Sequence, residues 1–275
     1  MQTFDVVIVG AGISGIGAAC HLQQSCPVKT FTILESRKQI GGTWDLFRYP
    51  GIRSDSDMHT LGFNFKPWTA AKSIADGPSI KSYLQETIAE RGLAKHIQHE
   101  HKVSSAEWSS DSSTWTVTTD HGGKTEQLCC NFLMMCSGYY NYDTPYTPDF
   151  QGQENFQGTV IHPQHWPKDL DYKGTKVVVI GSGATAMTLV PAMADEAASV
   201  TMLQRSPTYV VSRPDQDKIA NTLRKLLPDS IAYALTRFKN TQLQHFMYQR
   251  MRKQPLKMKK GLIGLVREAL GPDYD

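Results

Sequence analysis

"FDVVIVGAGISGIGAACHL", residues 4–22, joins a continuous apolar run to a Gly10-Ala11-Gly12-Ile13-Ser14-Gly15 turn and then to an amphipathic stretch. An apolar run this short, ended by glycines, predicts a buried parallel strand, and the segment after it predicts a helix. In that setting G-x-G-x-x-G is a dinucleotide turn. Its glycines close the bend, let backbone N–H groups approach a pyrophosphate, and let the helix lie close on the strand with its positive end toward the phosphates. A second strand, "FTILE" (31–35), ends on Glu35, about 25 residues after Gly10, where an acid can accept hydrogen bonds from ribose hydroxyls. This first site predicts an adenine dinucleotide with a free 2′-hydroxyl.

The pattern returns once. "KVVVIGSGATAMTLVPAM" (176–193) puts Gly181, Gly183 and Ala186 at the three fingerprint positions, and the strand "SVTML" (199–203) follows it. Where the first copy has Glu35, the second has Gln204, Arg205 and Ser206. A guanidinium and a hydroxyl suit a 2′-phosphate, which a carboxylate would repel, so this site predicts NADP(H). One FAD-type and one NADPH-type site in one chain imply hydride transfer from nicotinamide to flavin. The fold class expected is α/β, with two Rossmann-like dinucleotide-binding domains.

Composition narrows the function classes. A net charge of +3 and the lack of a basic run interleaved with aromatics argue against nucleic acid. The five cysteines are odd in number and form no C-x-x-C pair, so neither a disulfide framework nor a metal site is expected, and a reducing cytoplasm fits. The first apolar run has no basic flank, carries Asp5 and is interrupted by glycines, unlike a leader peptide. No stretch approaches the roughly 20 apolar residues of a membrane span.

Between the turns, "GGTWDLFRYPGIRSDSDMHTLGFNFKPW" (41–68) has no helical or strand period, and long irregular segments tend to be functional. Gly41 and Gly42 permit close approach to a ligand, Trp44, Tyr49 and Pro50 could wall a flavin ring, and Asp45, Arg53 and Asp55 are the charges best placed to face it. Asp55 would position a nicotinamide or hold an arginine; ordinary loop hydrogen bonding is the alternative. Residues 79–93 predict a helix capped by Ser79 and stopped at Gly92. Gly122-Gly123 predicts a hairpin, and Cys129, Cys130 and Cys136 predict core filling. From about Lys218 the chain reads as basic helices: a solvated or packed insert, with contact to an anionic membrane surface as the alternative.

The residues "GTWDLFRYPGIRSD" and above all "FQGTVIHPQHWP" (156–167) resemble the flavin-dependent Baeyer-Villiger monooxygenases. The fingerprint F-x-G-x-x-x-H-x-x-x-W-P of that family is matched by Phe156, Gly158, His162, Trp166 and Pro167. Phrases such as "CSGYYNY" and "MLQRSPTY" are most similar to the subgroup of ethionamide-activating and long-chain alkane monooxygenases. The resemblance implies an FAD domain over 1–150, an interdomain linker over 151–170, and an NADPH domain over 171–275 that carries the basic insert from about 218. It implies FAD contacts at Gly10, Gly12, Ser14, Gly15, Glu35, Thr43, Trp44, Asp45, Asp55 and Val103. It implies NADPH contacts at Arg53, Ser54, Asp55, Gly181, Ser182, Gly183, Ala184, Thr185, Ala186, Met187, Arg205 and Ser206. Asp55 would be catalytic, and His162 would couple the two domains from the linker without acting as acid or base. The implied reaction reduces FAD with NADPH, forms a C4a-peroxyflavin with O2, and inserts one oxygen into a small hydrophobic ketone. Oxygenation of a thioether, an amine or a long-chain alkane is the alternative. Family members are longer, so the resemblance also implies an N-terminal portion, truncated before the family's catalytic arginine, which alone could be an inactive nucleotide-binding fragment.

Overall fold

The computed structural model describes residues 1–206 and 208–272. In chain order its main elements are β1 (Gln2–Val9), α1 (Ile13–Ser25), β2 (Phe31–Leu34), α2 (Thr43–Leu46), α3 (Met58–Leu61), α4 (Gly77–Glu90), β3 (Ile97–Gln98), β4 (Lys102–Ser109), β5 (Thr114–His121) and β6 (Lys124–Met135). There follow β7 (Lys176–Ile180), α5 (Ala184–Met193), β8 (Ser199–Leu203), α6 (Lys218–Leu226), α7 (Asp229–Lys253) and α8 (Pro255–Leu270). They group into two compact units, one of 1–49 with 77–170 and one of 50–76 with 171–275.

The first unit is built on a six-stranded sheet in the order β3-β2-β1-β6-β5-β4. β1 pairs in parallel with β2 on one side and with β6 on the other, so the turn after β1 sits where the strand order changes direction, the usual place for a ligand in such sheets. β6 then pairs antiparallel with β5, and β5 with β4. Val7, Val9, Leu34, Val117, Leu128 and Cys130 form one buried cluster, with Phe4, Val103, Ala106, Trp115 and Leu133 packed against it. The β5–β6 hairpin turns at Gly122-Gly123, both with positive φ (61° and 82°), as an I′-type turn requires.

Two local expectations shift. The helix expected from Ser79 starts at Gly77, two residues earlier, because Pro78 can occupy the first turn without forfeiting a hydrogen bond, so Ser79 is internal and not the cap. Gly92 does follow the helix, in the left-handed region at φ 59°. Cys20, Cys130 and Cys136 have thiols pushed up by burial, which suits packing and not reactivity.

The second unit carries a two-stranded parallel ladder, β7-β8, with α5 between the strands in sequence. Val178, Ile180 and Leu203 leave part of this ladder exposed. The stretch 50–76 was expected in the first domain, and its contacts place it here. Gly51, at φ 77°, lies so close to α5 that an added Cβ would meet Ala192 Cβ at 2.7 Å and Thr188 O at 3.0 Å. Asp57 caps α3 by accepting from Thr60 N and also accepts from Asn240 Nδ2 of α7. Arg237 of α7 donates to the carbonyls of His59 and Thr60. The residues 151–170, expected as a separate linker, group with the first unit. The basic tail forms α6 to α8, and among the described residues no helix is long and apolar enough to cross a membrane.

Candidate functional site: two dinucleotide turns

The turns after β1 and β7 share one hydrogen-bond skeleton. Gly10 N donates to Leu34 O at 2.8 Å, and Gly181 N donates to Leu203 O at 2.9 Å. Ile16 N donates to Gly12 O, and Met187 N to Gly183 O, each at 3.0 Å. The helix-capping glycines have nearly equal angles, φ −82° and ψ −171° at Gly12, φ −79° and ψ −177° at Gly183. Gly10 and Gly181 both have positive φ, 105° and 131°, which a side chain would strain.

The first turn separates the reasons for its glycines. A Cβ on Gly10 would meet Cys136 O at 2.5 Å, and one on Gly15 would meet Gly10 O at 1.9 Å, so both are demanded by the fold. A Cβ on Gly12 would meet only Gly42 Cα, at 3.8 Å. Gly12 and Gly42 therefore pack main chain against main chain, a Cβ on Gly42 lying 3.3 Å from Gly12 Cα, and neither presents a side chain that would keep a pyrophosphate off the turn. Ser14 is exposed at the start of α1, where backbone N–H groups lack helical partners.

Glu35 is 4% exposed and its carboxylate accepts from Ala11 N at 2.8 Å through Oε2 and from Arg37 N at 2.9 Å through Oε1. It thus braces the turn as well as standing at the end of β2. Thr43, Trp44 and Asp45 form α2 beside it. Asp45 was expected to face the ring, but its side chain is 2% exposed and enclosed by cations: Lys81 Nζ at 2.6 Å, Arg37 Nη2 at 2.5 Å and Arg48 Nη2 at 3.7 Å. The Arg37 approach to Oδ2 is an ion pair without hydrogen-bond alignment, leaving that buried oxygen unsatisfied. With Glu35 counted, two carboxylates against three cations leave one excess positive charge beside the Gly12–Gly42 contact, the sign that suits a pyrophosphate. Arg37 also donates to Gly42 O and lies over the Tyr142 ring, 5.9 Å from its centroid. Burial pushes the Tyr142 phenol up, partly countered by its hydrogen bond with Thr43. The sequence had not marked Arg37, Lys81 or Tyr142, whose distances from Asp45 along the chain follow no local spacing. Val103 packs against the sheet core.

In the 156–167 segment, the Phe156 ring covers Gly158, where a Cβ would meet ring carbons at 2.5 Å. His162 caps a short 3-10 turn over Pro163–His165, its Nδ1 accepting from Gln164 N at 3.2 Å. Gln164, 4% exposed, donates to Asn141 O at 2.7 Å and so ties the segment to the chain following β6. Burial, with His165 next, holds the His162 imidazole below its ordinary value.

In the second unit, Ala186 carries a methyl where the first turn has Gly15. The register places Gln204 one residue past Leu203, as Glu35 is one past Leu34, so the carboxylate is replaced by an amide. Arg205 and Ser206 follow, both exposed. Ser182 is half-buried, as are Thr185 and Met187, while Gly183 and Ala184 are open. Arg53, Ser54 and Asp55 belong to this unit: the Arg53 main chain forms an isolated antiparallel β-bridge with that of Asp76, Ser54 is buried with Oγ donating to Ser56 O, and Asp55 is exposed. The expected site residues thus divide, with Gly10–Gly15, Glu35, Thr43–Asp45, Val103 and His162 in one unit and the rest in the other.

Comparison with known proteins finds matches over both glycine turns. Residues 8–76 match an NAD(P)-binding Rossmann-like domain, and residues 73–265 match the flavin-binding monooxygenase-like family. The FAD-containing monooxygenase EthA of Mycobacterium tuberculosis is 56% identical over 275 residues, all of this chain and 56% of that protein. Cyclohexanone monooxygenase in its ε-caprolactone-bound Loose conformation superposes with a TM-score of 0.73 at 28% identity, over 85% of this chain and 45% of that one. An oxidized steroid monooxygenase bound to NADP gives a TM-score of 0.67 at 30% identity, over 76% and 40%. The chain spans about half the length of the curated relatives it matches. With both glycine turns inside the matched regions, the chain belongs to the flavin-binding monooxygenase-like family.

Proposed function

We propose that the first turn holds FAD, the second holds NADPH, and the whole protein is an NADPH- and O2-dependent monooxygenase that inserts one oxygen atom into a ketone. The observation that carries this reading is the pair of matching turns that differ where the ribose would lie, Glu35 in one and Gln204-Arg205-Ser206 in the other. Glu35 accepts ribose hydroxyl hydrogens and repels a 2′-phosphate; Arg205 and Ser206 attract one. The ketone is favoured over a thioether or an alkane because a similar protein is a cyclohexanone monooxygenase bound to ε-caprolactone.

When bound, FAD would accept a hydride from NADPH and deliver one atom of O2 to the substrate. The chain's own residues bind and orient. The main chain at Gly12 and Gly42 and the N-terminal N–H groups of α1 take the pyrophosphate, and Arg37 and Lys81 balance its charge. Arg53 and Asp55 orient the nicotinamide end of NADPH. His162 holds the 162–165 turn shut against Gln164 and, through it, Asn141, a positioning role that keeps the linker in one shape.

The test is product analysis on the intact protein with NADPH, 18O2 and cyclic ketones beside a thioether and a long-chain alkane. One 18O in an ester or lactone supports the reading. Labelled sulfoxide or alcohol with no ester would replace the ketone by the competing substrate, and NADPH consumption without any labelled organic product would remove the oxygenase assignment.

A further inference from the structure

A second cluster of side chains lies on the first unit's sheet, joined to the end of β2 by the hydrogen bond from His101 N to Glu35 O at 2.9 Å. His101 lies just before β4, His121 ends β5 and Glu126 lies near the start of β6. Lys102 pairs with Asp120, so one step further out His101 stands across from His121. Glu126 pairs with Thr119, two residues before His121, and so is its diagonal neighbour on the same face. The antiparallel register thus brings two imidazoles and one carboxylate together on one face of the sheet. The His101 and His121 rings stack with centroids 4.1 Å apart and 28° between planes.

The distances suit a shared ligand better than mutual pairing. His101 Nε2 lies 3.6 Å from Glu126 Oε2, and His121 Nδ1 lies 3.6 Å from Glu126 Oε1, both too long for hydrogen bonds. All three donor atoms lie within 4.8 Å of one another. Two ligands bound at about 2.05 Å to a tetrahedral cation are separated by about 3.4 Å, so the His–Glu separations need close by only tenths of an ångström. His101 is oriented from behind. Its Nδ1 is 2.7 Å from His99 O, and since a carbonyl only accepts, Nδ1 carries the hydrogen and the neutral ring presents the Nε2 lone pair to the cluster. A histidine fixed through its other nitrogen in this way is the arrangement metal-binding imidazoles adopt.

We infer that His101, His121 and Glu126 form a site for one Zn2+ or a divalent cation of similar ligand preference, completed by solvent. Two imidazoles and a carboxylate suit Zn2+ better than Mg2+ or Ca2+, which prefer all-oxygen shells. The cation ties β4, the edge strand of the sheet, to the tip of the β5–β6 hairpin. No ligand is taken from either dinucleotide turn, so the inference stands whatever those turns bind.

The test uses the intact protein freed of metal with a chelator and titrated with Zn2+ by calorimetry, alongside His121→Asn and Glu126→Gln. Both altered side chains are about half exposed, 47% and 48%, so the fold should tolerate them, and the metal-free melting temperature checks that it does. One equivalent of Zn2+ on the wild type, with affinity reduced by about tenfold or more in each variant, supports the site. No binding below millimolar Zn2+, or equal binding in the double variant, would overturn it. Should a variant not fold, zinc K-edge absorption of the wild-type complex still decides: two imidazole ligands are expected, and fewer would refute the assignment.

Discussion

The same substitution, made three residues apart in the first turn, should have two different effects. At Gly15 the added methyl would sit 1.9 Å from Gly10 O, against an ordinary contact of about 3.4 Å or more, so α1 must move off β1 by more than an ångström. Inserting a methyl into packing this tight costs about 1–3 kcal/mol, offset by up to about 1 kcal/mol of gained helix propensity. At about 2–4 °C per kcal/mol for a unit of this size, Gly15→Ala should lower the melting temperature by several degrees. The fold should survive, because Ala186 occupies the matching place in the second turn.

At Gly12 the chain offers no obstacle: φ is −82°, and the nearest atom to the methyl is 3.8 Å away. Gly12→Ala should change the stability of the FAD-free protein by less than about 1 kcal/mol. On the proposed assignment the pyrophosphate rests against the Gly12 main chain, and a methyl that crowds it, at about 1–3 kcal/mol, weakens FAD by roughly ten- to a hundredfold. The assay is flavin content by absorbance after purification, FAD titration of the stripped protein, and thermal unfolding of the FAD-free form. A Gly12→Ala protein with wild-type flavin affinity, or one that fails to fold while Gly15→Ala is normal, would refute the division of roles.

Two further outcomes follow from the same geometry. Arg205→Ala should weaken NADPH by roughly ten- to a hundredfold, the loss of a charge-assisted contact of about 1.5–3 kcal/mol, and leave NADH nearly unchanged; equal effects in a cofactor titration would mean that Arg205 does not face the 2′-phosphate. Acidification should destabilise the fold just below neutrality. Burial holds the imidazoles of His59 and His162 below their ordinary 6.5, and at His59 it prevails over the attraction of Asp57 and Asp217. Between 6.5 and those lowered values the unfolded chain binds more protons, so stability is complete above about pH 6.5 and falls as pH drops through the window. Melting temperature against pH should show this slope, flattened in His59→Gln; a midpoint that rises or stays level on acidification would contradict it.

What the sequence revealed was what local backbone geometry demands. Gly10, Gly12 and Gly15 are spaced by the turn itself, and Glu35 by the length of α1 and β2, so each could be placed by counting. The membership of 50–76 could not. It depends on Gly51 meeting α5, Asp57 meeting Asn240, and Arg237 meeting the carbonyls of His59 and Thr60, pairs separated by more than a hundred residues with no shared period. Asp45 shows the same limit. As a charge in a glycine-rich loop it looked ligand-facing; that Lys81, on α4, would reach it at 2.6 Å is a fact of packing.

The two turns also differ in enclosure, and on the proposed assignment that difference has a chemical use. Gly12 is faced by Gly42 at van der Waals distance, and the roof is pinned because Gly41 N donates to Ala11 O at 3.0 Å and Arg37 donates to Gly42 O. Around Gly181 and Gly183, no described atom lies within 4 Å of where a Cβ would be. The 41–42 loop is thus hydrogen-bonded to the first turn itself and forms a wall beside it that is in place before any ligand binds. No such wall stands beside the second turn among the described residues. On the proposed assignment, a wall already in place at the first turn suits a flavin that stays through many turnovers.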